Sequence, residues 1–591
     1  MRKNYCFTPI IMLIRSQIWW DMETIPISVK YLREKQGKHR PNFEKKTKKK
    51  IKEKKKKKEV INVSVGEQDC AINTYIELIQ SEYKTTARLK EEKNMKKKVV
   101  SSLLIMTMLT TVLAGCGSGS KDEGKKPQAD SGETETIAIQ LVNVVPELPD
   151  VEAVEAELNK ITEKEINCKV DIQNLFIGDL PTTTSMNIVS DEKMDIVAVG
   201  LTQKLADIYD DGILMELDDY LEYAPNYVAA VENVLKAGQV NGVQYALPAN
   251  PYVANSPGFV YNKDMADELG ITIEKGADLD DLTRYFEAVK AKDVYGTSAG
   301  TSGALNVHMY YNVETFGTNA DFGYIADPVN STKVENFYAS DIFKNYCAAA
   351  KAWNDTGYMP AGSLTDTTTP QEYFKMEKLF GLPTGYDMSQ FATWQSGQSF
   401  AIDIAQLDDP IITTASTAER MWGIAANSKH PEKAMELLEL IYTNADVANL
   451  LQYGIEGKHY TKVEGTENVC TAEGAEVGPE GYTSLFTKYG DPTKAMTAVP
   501  NGDDYLEKVE EFNKDVPTSK SLGYVFDVTN VSAEAGAVSN VIAEHLPRLQ
   551  SGNVENVDAA IEEFVNALDK AGMSAIIEEN QKQLDAYMEQ Q

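Results

Sequence analysis

Between Thr136 and Gly200 the chain alternates strand-like and helix-like stretches, and that alternation restricts it to folds built on a parallel sheet. Thr136-Ile-Ala-Ile-Gln-Leu-Val142 has the β-branched, apolar character of a buried strand. Val151, Val154, Leu158 and Ile161 then recur at helical spacing. Cys168-Lys-Val-Asp-Ile172 reads as a second strand. A helix-like stretch ends near Val189, and Met194-Asp-Ile-Val-Ala-Val199 reads as a third strand closing at Gly200. The expectation is an α/β lobe with helices on the faces of its sheet.

What precedes this lobe reads as an address and not as a domain. Lys96-Lys97-Lys98 leads into the uncharged, mostly apolar run Val99 to Val112, and Leu113-Ala114-Gly115-Cys116 closes it with small residues. That order is the one a secretory signal peptide follows. The run is short for a transmembrane helix, which needs about 20 residues. Leu-Ala-Gly-Cys also resembles the lipobox of bacterial lipoproteins, which implies a diacylglycerol on Cys116 and cleavage before it. Gly117 to Glu135 is Gly, Ser, Lys, Asp and Glu for the most part and reads as a flexible tether, with 116–135 forming the lipidated cysteine and its linker. Residues 1–94 carry the near-continuous lysine run Lys45 to Lys58, which repels itself and cannot bury a core. Lys90-Glu91-Glu92 can be encoded by a purine run resembling a ribosome-binding site ahead of Met95. The expectation is that translation starts at Met95 and that 1–94 is an unstructured, Lys-rich extension. A basic arm for nucleic acid fits poorly with an export signal behind it.

Charge supports this division. Of 58 basic and 89 acidic residues, 26 and 12 precede Cys116, leaving 32 and 77 and a formal net charge of −45 for residues 116–591. Such a surface argues against nucleic acid and against anionic membrane as partners of the folded part. Those 476 residues are enough for two or more domains at roughly 100–200 residues each. Beyond Cys116 only Cys168, Cys347 and Cys470 remain, too few and too scattered for a disulfide framework, and they read as buried small hydrophobes. His308, His430, His459 and His545 are isolated and no Cys-x-x-Cys occurs, so no metal or other cofactor is expected.

Further along, four motifs carry a family resemblance. Gly212-Ile-Leu-Met-Glu-Leu-Asp218, Asn241-Gly-Val-Gln-Tyr-Ala-Leu-Pro248 and Gly258-Phe-Val-Tyr-Asn-Lys-Asp-Met265 are three of them. The fourth is Trp422-Gly-Ile-Ala-Ala-Asn-Ser-Lys-His-Pro-Glu-Lys-Ala-Met-Glu-Leu-Leu438. Together they resemble extracellular solute-binding lipoproteins of ABC importers, the sugar-binding type. Tyr453-Gly-Ile-Glu-Gly-Lys-His-Tyr460, Leu522-Gly-Tyr-Val-Phe-Asp527 and Gln581-Lys-Gln-Leu-Asp-Ala-Tyr587 are similar to a subgroup with a distinctive C-terminal region. That region reads as three helices: Val531 to Leu549, Val557 to Leu568, and Ser574 onward, with stops at Gly552 and Gly572. The resemblance implies a two-lobed periplasmic-binding-protein-like fold (type II), with parallel-sheet lobes and extra C-terminal helices. Lobe one is placed at 136–257 plus 412–500 and lobe two at 258–411 plus 501–591. The resemblance further implies ABC permease subunits as partners, a monomer on the outer face of the cytoplasmic membrane, and hinge closure around a solute.

Several constellations bear on chemistry. Gly296-Thr-Ser298-Ala-Gly300 matches a nucleophile elbow, but Thr301-Ser302-Gly303 continues a Gly/Ser stretch where the motif needs a helix. Acidic pairs such as Asp280-Asp281 and Asp408-Asp409 point apart and do not supply two carboxylates across one bond. No catalytic residue is assigned. A pyranose offers an apolar face to a flat ring, with hydroxyls at the rim for Asn, Gln, Asp or Glu. Trp422, Tyr386 and Tyr252 are the ring candidates, with Trp394 behind them, and Asn250, Asn143 and Gln203 are the rim candidates from their strand-end placement. Trp353, at helical spacing from Tyr346 and Ala350, reads as core. The functional expectation is capture of a carbohydrate, an oligosaccharide, in an interlobe cleft for an ABC permease, without chemistry on it. The alternatives are an exported glycan-active hydrolase and a ligand-sensing lipoprotein of the same fold.

Overall fold

A computed structural model of the chain describes residues 134–299, 307–360, 362, 364–482 and 490–591. The expected signal peptide, Cys116 and the lysine-rich front lie outside the described residues, as does Gly300 of the Gly-x-Ser-x-Gly motif. The principal strands in chain order are β1 (Glu135–Asn143), β2 (Cys168–Phe176), β3 (Ile196–Gly200), β4 (Ala246–Pro248), β5 (Ser256–Asn262), β6 (Gly381–Tyr386), β7 (Ile402–Gln406) and β8 (Arg420–Ile424).

The first sheet has the order β2-β1-β3-β8-β4. β1 runs parallel to β2 with Ile137 beside Val170, and parallel to β3 with Ile139 beside Ile196. Ile137, Ile139, Ile196 and Ala198 are at most 1% exposed, as expected of central strands covered on both faces. Helix α1 (Val151–Ile166) covers one face through Val154 and Leu158. It ends on Asn167 in the left-handed conformation (φ 48°), which a short polar side chain tolerates. β8 lies antiparallel to β3, with Trp422 beside Ala198, and β4 pairs with its other side at the sheet edge.

The second sheet departs from the parallel expectation. Its order is β6-β5-β7 and both pairings are antiparallel. β6 and β7 run the same way on either side of β5, so a β-α-β crossover has the reversed strand β5 inserted between its two strands. Helices α2 (Leu279–Lys290), α3 (Asp341–Thr356) and α4 (Gln390–Ser396) belong to this half, α4 connecting β6 to β7. Phe259, Phe286, Trp353 and Phe380 build its core, separate from the core of the first sheet.

Three stretches of chain pass between the two cores side by side. Asn255 exchanges both backbone hydrogen bonds with Ile411, at 3.0 and 2.9 Å. Ile412 donates to the Pro517 carbonyl (3.0 Å) and accepts from Ser519 (2.8 Å). Ahead of the third passage, Phe512 in helix α5 (Tyr505–Asn513) and Val516 beyond it pack with Leu522 against the first core. Phe512, Val516 and Leu522 belong to the stretch 501–591 expected with lobe two, and the core they pack on is the first. Leu522 belongs to the first core, whereas Tyr524 packs with Phe316, Ile325 and Leu584.

The chain ends in α6 (Ser532–Gln550), α7 (Val557–Ala571) and α8 (Met573–Met588). Gly572, with φ 108°, makes the reversal between α7 and α8 that a side chain would strain. Val538, Leu546, Phe564 and Ile576 from these helices complete the second core around α3.

Candidate functional site

The first two passages and helix α5 line a cavity of about 640 Å³ whose walls come from both halves. That is within the roughly 300–1,000 Å³ of pockets that hold small organic ligands. The first passage contributes Asn250, Tyr252 and Asn255. Asn250 Oδ1 accepts from the Tyr252 amide at 2.7 Å, an Asx turn that fixes how both side chains leave the backbone. From the second half come Tyr311, Asp387, Gln390 and Thr393; from the first, Thr417, Arg420, Gln452 and Tyr453. Helix α5 adds Tyr505, Val509 and Asn513, one side chain per helical turn and so one continuous stripe.

Four tyrosines thus reach the cavity, each half-buried. Burial is the first cause of a raised hydroxyl pKa in all four. Tyr311 and Tyr505 are pushed up to about 12, the latter helped by the Asp387 carboxylate. All four are neutral at physiological pH and present uncharged rings. The Tyr453 hydroxyl is committed to the Met496 carbonyl at 2.7 Å, which leaves its ring as the available surface.

Arg420 is the one Lys, Arg or His among the described residues lining the cavity, and its guanidinium is held 2.7 Å from Glu419. Glu314 and Asp387 add further carboxylates. Asp387 already accepts from the Ser389 amide (2.7 Å) and hydroxyl (2.5 Å), which pins it in one rotamer. Ionised carboxylates only accept hydrogen bonds, so a hydroxyl-rich neutral ligand matches these walls and an anion does not.

The sequence candidates divide. Asn250 and Tyr252 line the cavity. Trp422 does not: it is 2% exposed in the first core, and Arg420, two residues earlier on β8, reaches the cleft in its place. Tyr386 sits between the lining residues Gly385 and Asp387, but its ring packs on Phe512. Trp394 lies behind the wall, its indole N–H donating to Thr384 Oγ1 at 3.1 Å and its ring edge-on to Phe374. Asn143 is fully buried, its amide on the Asn174 side chain, and Gln203, 2% exposed, donates to the Ala198 carbonyl. These two amides hold strand ends of the first sheet and do not face the ligand space. Tyr311, Tyr453, Tyr505 and Arg420 were not among the candidates; only Tyr505 had a readable signal, its four-residue spacing to Val509 and Asn513.

Ser298 is 6% exposed and thus not presented as an elbow nucleophile would be. Cys168, Cys347 and Cys470 are free and buried, with the thiols of Cys168 and Cys470 pushed up by burial to about 12 and about 11. Among the described residues no cluster of His, Cys, Asp or Glu could hold a metal ion, and no helix is long and apolar enough to cross a membrane.

Two α/β lobes that face each other over a walled cavity, joined by three adjacent passages, define a protein that holds a ligand between its lobes. The family model for bacterial extracellular solute-binding proteins matches residues 146–448, more than half of the chain, and the chain belongs to that family. A second model, described as a domain of unknown function (DUF3502), matches residues 520–589. A carbohydrate ABC transporter substrate-binding protein of Streptococcus pneumoniae is 27% identical over 515 residues, covering 84% of this chain and 99% of that one. The crystal structure of the N-glycan transport solute-binding protein of Streptococcus pneumoniae superposes with a TM-score of 0.66 at 25% identity, covering 77% of this chain and 99% of that one. An HMO-binding, ABC-transporter-associated solute-binding protein of Bifidobacterium longum infantis shares the fold at a TM-score of 0.54 and 16% identity, covering 77% of this chain and 99% of that one.

Proposed function

We propose that this protein captures a neutral oligosaccharide in the interlobe cavity and hands it unchanged to an ABC permease, held at the outer face of the membrane by lipid on Cys116. The observation that carries the reading is the cavity wall: four uncharged tyrosine rings with amides, hydroxyls and carboxylates between them, on both lobes at once. Rings cover the apolar faces of sugar units, and the acceptors take up their hydroxyl protons. The relative of known class in Streptococcus pneumoniae, a carbohydrate-binding component matched over nearly its whole length, supports the same ligand class. Closure then moves 136–257 with 412–522 against 258–411 with 523–591, and selectivity is the difference in affinity between the closed and open forms.

Isothermal titration of the purified protein with the glycans Man1GlcNAc and Man5GlcNAc, alongside a wider oligosaccharide and peptide panel, tests the ligand class. Saturable binding of a saccharide, recovered chemically unchanged, is the expected result. Binding of a peptide with no saccharide hit overturns the sugar reading and leaves the fold untouched. Intact-mass analysis of membrane-extracted protein tests the anchor: a diacylglyceryl Cys116 as the first residue is expected, and an unmodified thiol there overturns it.

A further inference from the structure

We propose that the C-terminal region, residues 520–589, is a brace on the interlobe pivot and sets the balance between open and closed cleft. The inference rests on the capture-by-closure reading above. Its starting point is Gly523, the single residue between Leu522 in the first core and Tyr524 in the cluster around Leu584. Gly523 has φ +85°, the left-handed region that favours glycine. A Cβ there would lie 2.5 Å from the Lys236 carbonyl oxygen and 2.8 Å from the Tyr587 hydroxyl. The pivot backbone is thus pressed between lobe one, where Val234 and Ala237 flank Lys236 in the first core, and the last helix of lobe two.

One face of α8 lies along this passage. Asn580, Gln583 and Tyr587 are spaced by three and four residues and point the same way. Tyr524 donates to Asn580 Oδ1 at 2.7 Å, and Asn580 donates on to the Phe322 carbonyl at 2.7 Å. Gln583 takes both backbone groups of Asp527, at 3.0 and 2.9 Å. These bonds fasten the passage to lobe two on one side of the pivot. The Tyr587 hydroxyl reaches across it and donates to the Leu522 carbonyl at 2.5 Å. Rotation at Gly523 turns Leu522 with lobe one and Tyr587 with lobe two, so this bond resists departure from the observed arrangement.

The cavity wall is tied to the same point. Glu314 lines the cavity and is 3% exposed. It accepts from the Thr414 amide at 3.1 Å and from the hydroxyls of Ser519 and Ser521. Thr414 in turn accepts from the Gly523 amide at 3.1 Å. A ligand that moves Glu314 therefore bears on the pivot through two hydrogen bonds and one residue, Thr414.

Tyr587→Phe removes the bond across the pivot and keeps the ring; Tyr524→Phe removes a bond wholly on the lobe-two side and serves as its control. Small-angle scattering of the ligand-free proteins reads the lobe arrangement, and titration with Man5GlcNAc reads affinity. Expected for Tyr587→Phe is a radius of gyration different from wild type and an affinity changed by about two- to tenfold, the range one hydrogen bond supplies to a two-state balance. Tyr524→Phe is expected to match wild type in both. An unchanged radius for Tyr587→Phe, or equal effects of the two variants, overturns the brace. Should no glycan bind wild type, the sugar reading fails, while the ligand-free radii still decide the brace.

Discussion

Tyr386 and Phe512 meet ring to ring between the two halves of the molecule, centroids 5.5 Å apart and planes inclined at 59°. Tyr386 packs with the far side of the second sheet and Phe512 against the first core, so the pair spans the lobes beside the cavity. Tilted aromatic pairs contribute about 0.5–1.5 kcal/mol beyond the area they bury. A double-mutant cycle with Tyr386→Leu and Phe512→Leu, followed by urea unfolding, is expected to show coupling in that range. A coupling below about 0.3 kcal/mol would show that the rings are not held together in solution.

The division between cavity and core residues gives a second expectation. Tyr252 and Tyr505 line the cavity from two elements, whereas Trp422 is closed off in the first core. Tyr252→Ala and Tyr505→Ala should each weaken glycan binding at least tenfold, about 1.4 kcal/mol, with little change in melting temperature. Trp422→Phe should leave affinity within about threefold and lower stability by about 1–3 kcal/mol, because it opens space in a packed core. Calorimetric titration and thermal unfolding of the three variants separate the two classes. A large affinity loss in Trp422→Phe with unchanged stability would return that residue to the ligand.

How far the sequence reveals this site depends on where each residue's partners come from. The runs Thr136–Val142 and Met194–Val199 announce buried strands because both faces are covered, so all but Thr136, Gln140 and Asp195 are apolar. The C-terminal helices are legible from glycine stops at Gly552 and Gly572, within a few residues of the observed ends of α6 and α7. The direction of the second sheet is not legible. Gly381-Leu-Pro-Thr-Gly-Tyr386 has neither alternation nor an apolar run, and its pairing with Ser256–Asn262 joins segments more than a hundred residues apart. Ring candidates chosen at strand ends fare unevenly for a related reason. A strand end says which edge of the sheet a residue is near, but β8 sinks Trp422 into the layer below and leaves Arg420 at the rim. Tyr311 and Tyr453 become neighbours of the ligand space only once distant segments fold together, which no local pattern encodes.

Asp195 provides a stability test within lobe one. Its carboxylate is 1% exposed and accepts from the Ala138 amide at 2.9 Å and the Ser428 hydroxyl at 2.5 Å. It thereby ties the start of β3 to β1 and to the turn before helix Pro431–Thr443. Asp195→Ala leaves the buried Ala138 amide without an acceptor, at about 1–3 kcal/mol, and takes the charged partner from the half-buried Ser428 hydroxyl, at about 1 kcal/mol more. The expected loss is about 2–4 kcal/mol in urea unfolding, with Asp195→Asn losing less because one acceptor oxygen remains. Equal stability of Asp195→Ala and wild type would show that water replaces the carboxylate.

Asp150, which leads into α1, makes the acid dependence of lobe one predictable. Its carboxylate accepts from Lys458 Nζ at 3.0 Å and faces His459 Nε2 at 3.1 Å. His459 Nδ1 accepts from the Ile455 amide at 2.9 Å, so the neutral ring carries its proton on Nε2 and donates it to Asp150. The Lys458 hydrogen bond first, and the His459 bond second, hold the Asp150 carboxyl below the ordinary carboxylate range. A folded-state pKa below the unfolded value of about 3.9 means that the unfolded chain binds the proton more readily. The stability this group supplies is therefore fully present above about pH 5 and is lost as pH falls through the lower, folded value. Asp150→Asn cannot titrate, so the stability gap between wild type and this variant should be widest near neutrality and narrow steadily below about pH 4. Urea unfolding of both proteins at about pH 7, 5, 4 and 3 measures the gap. A gap constant across that series would show that Lys458 and His459 leave the Asp150 carboxyl as it is in the unfolded chain.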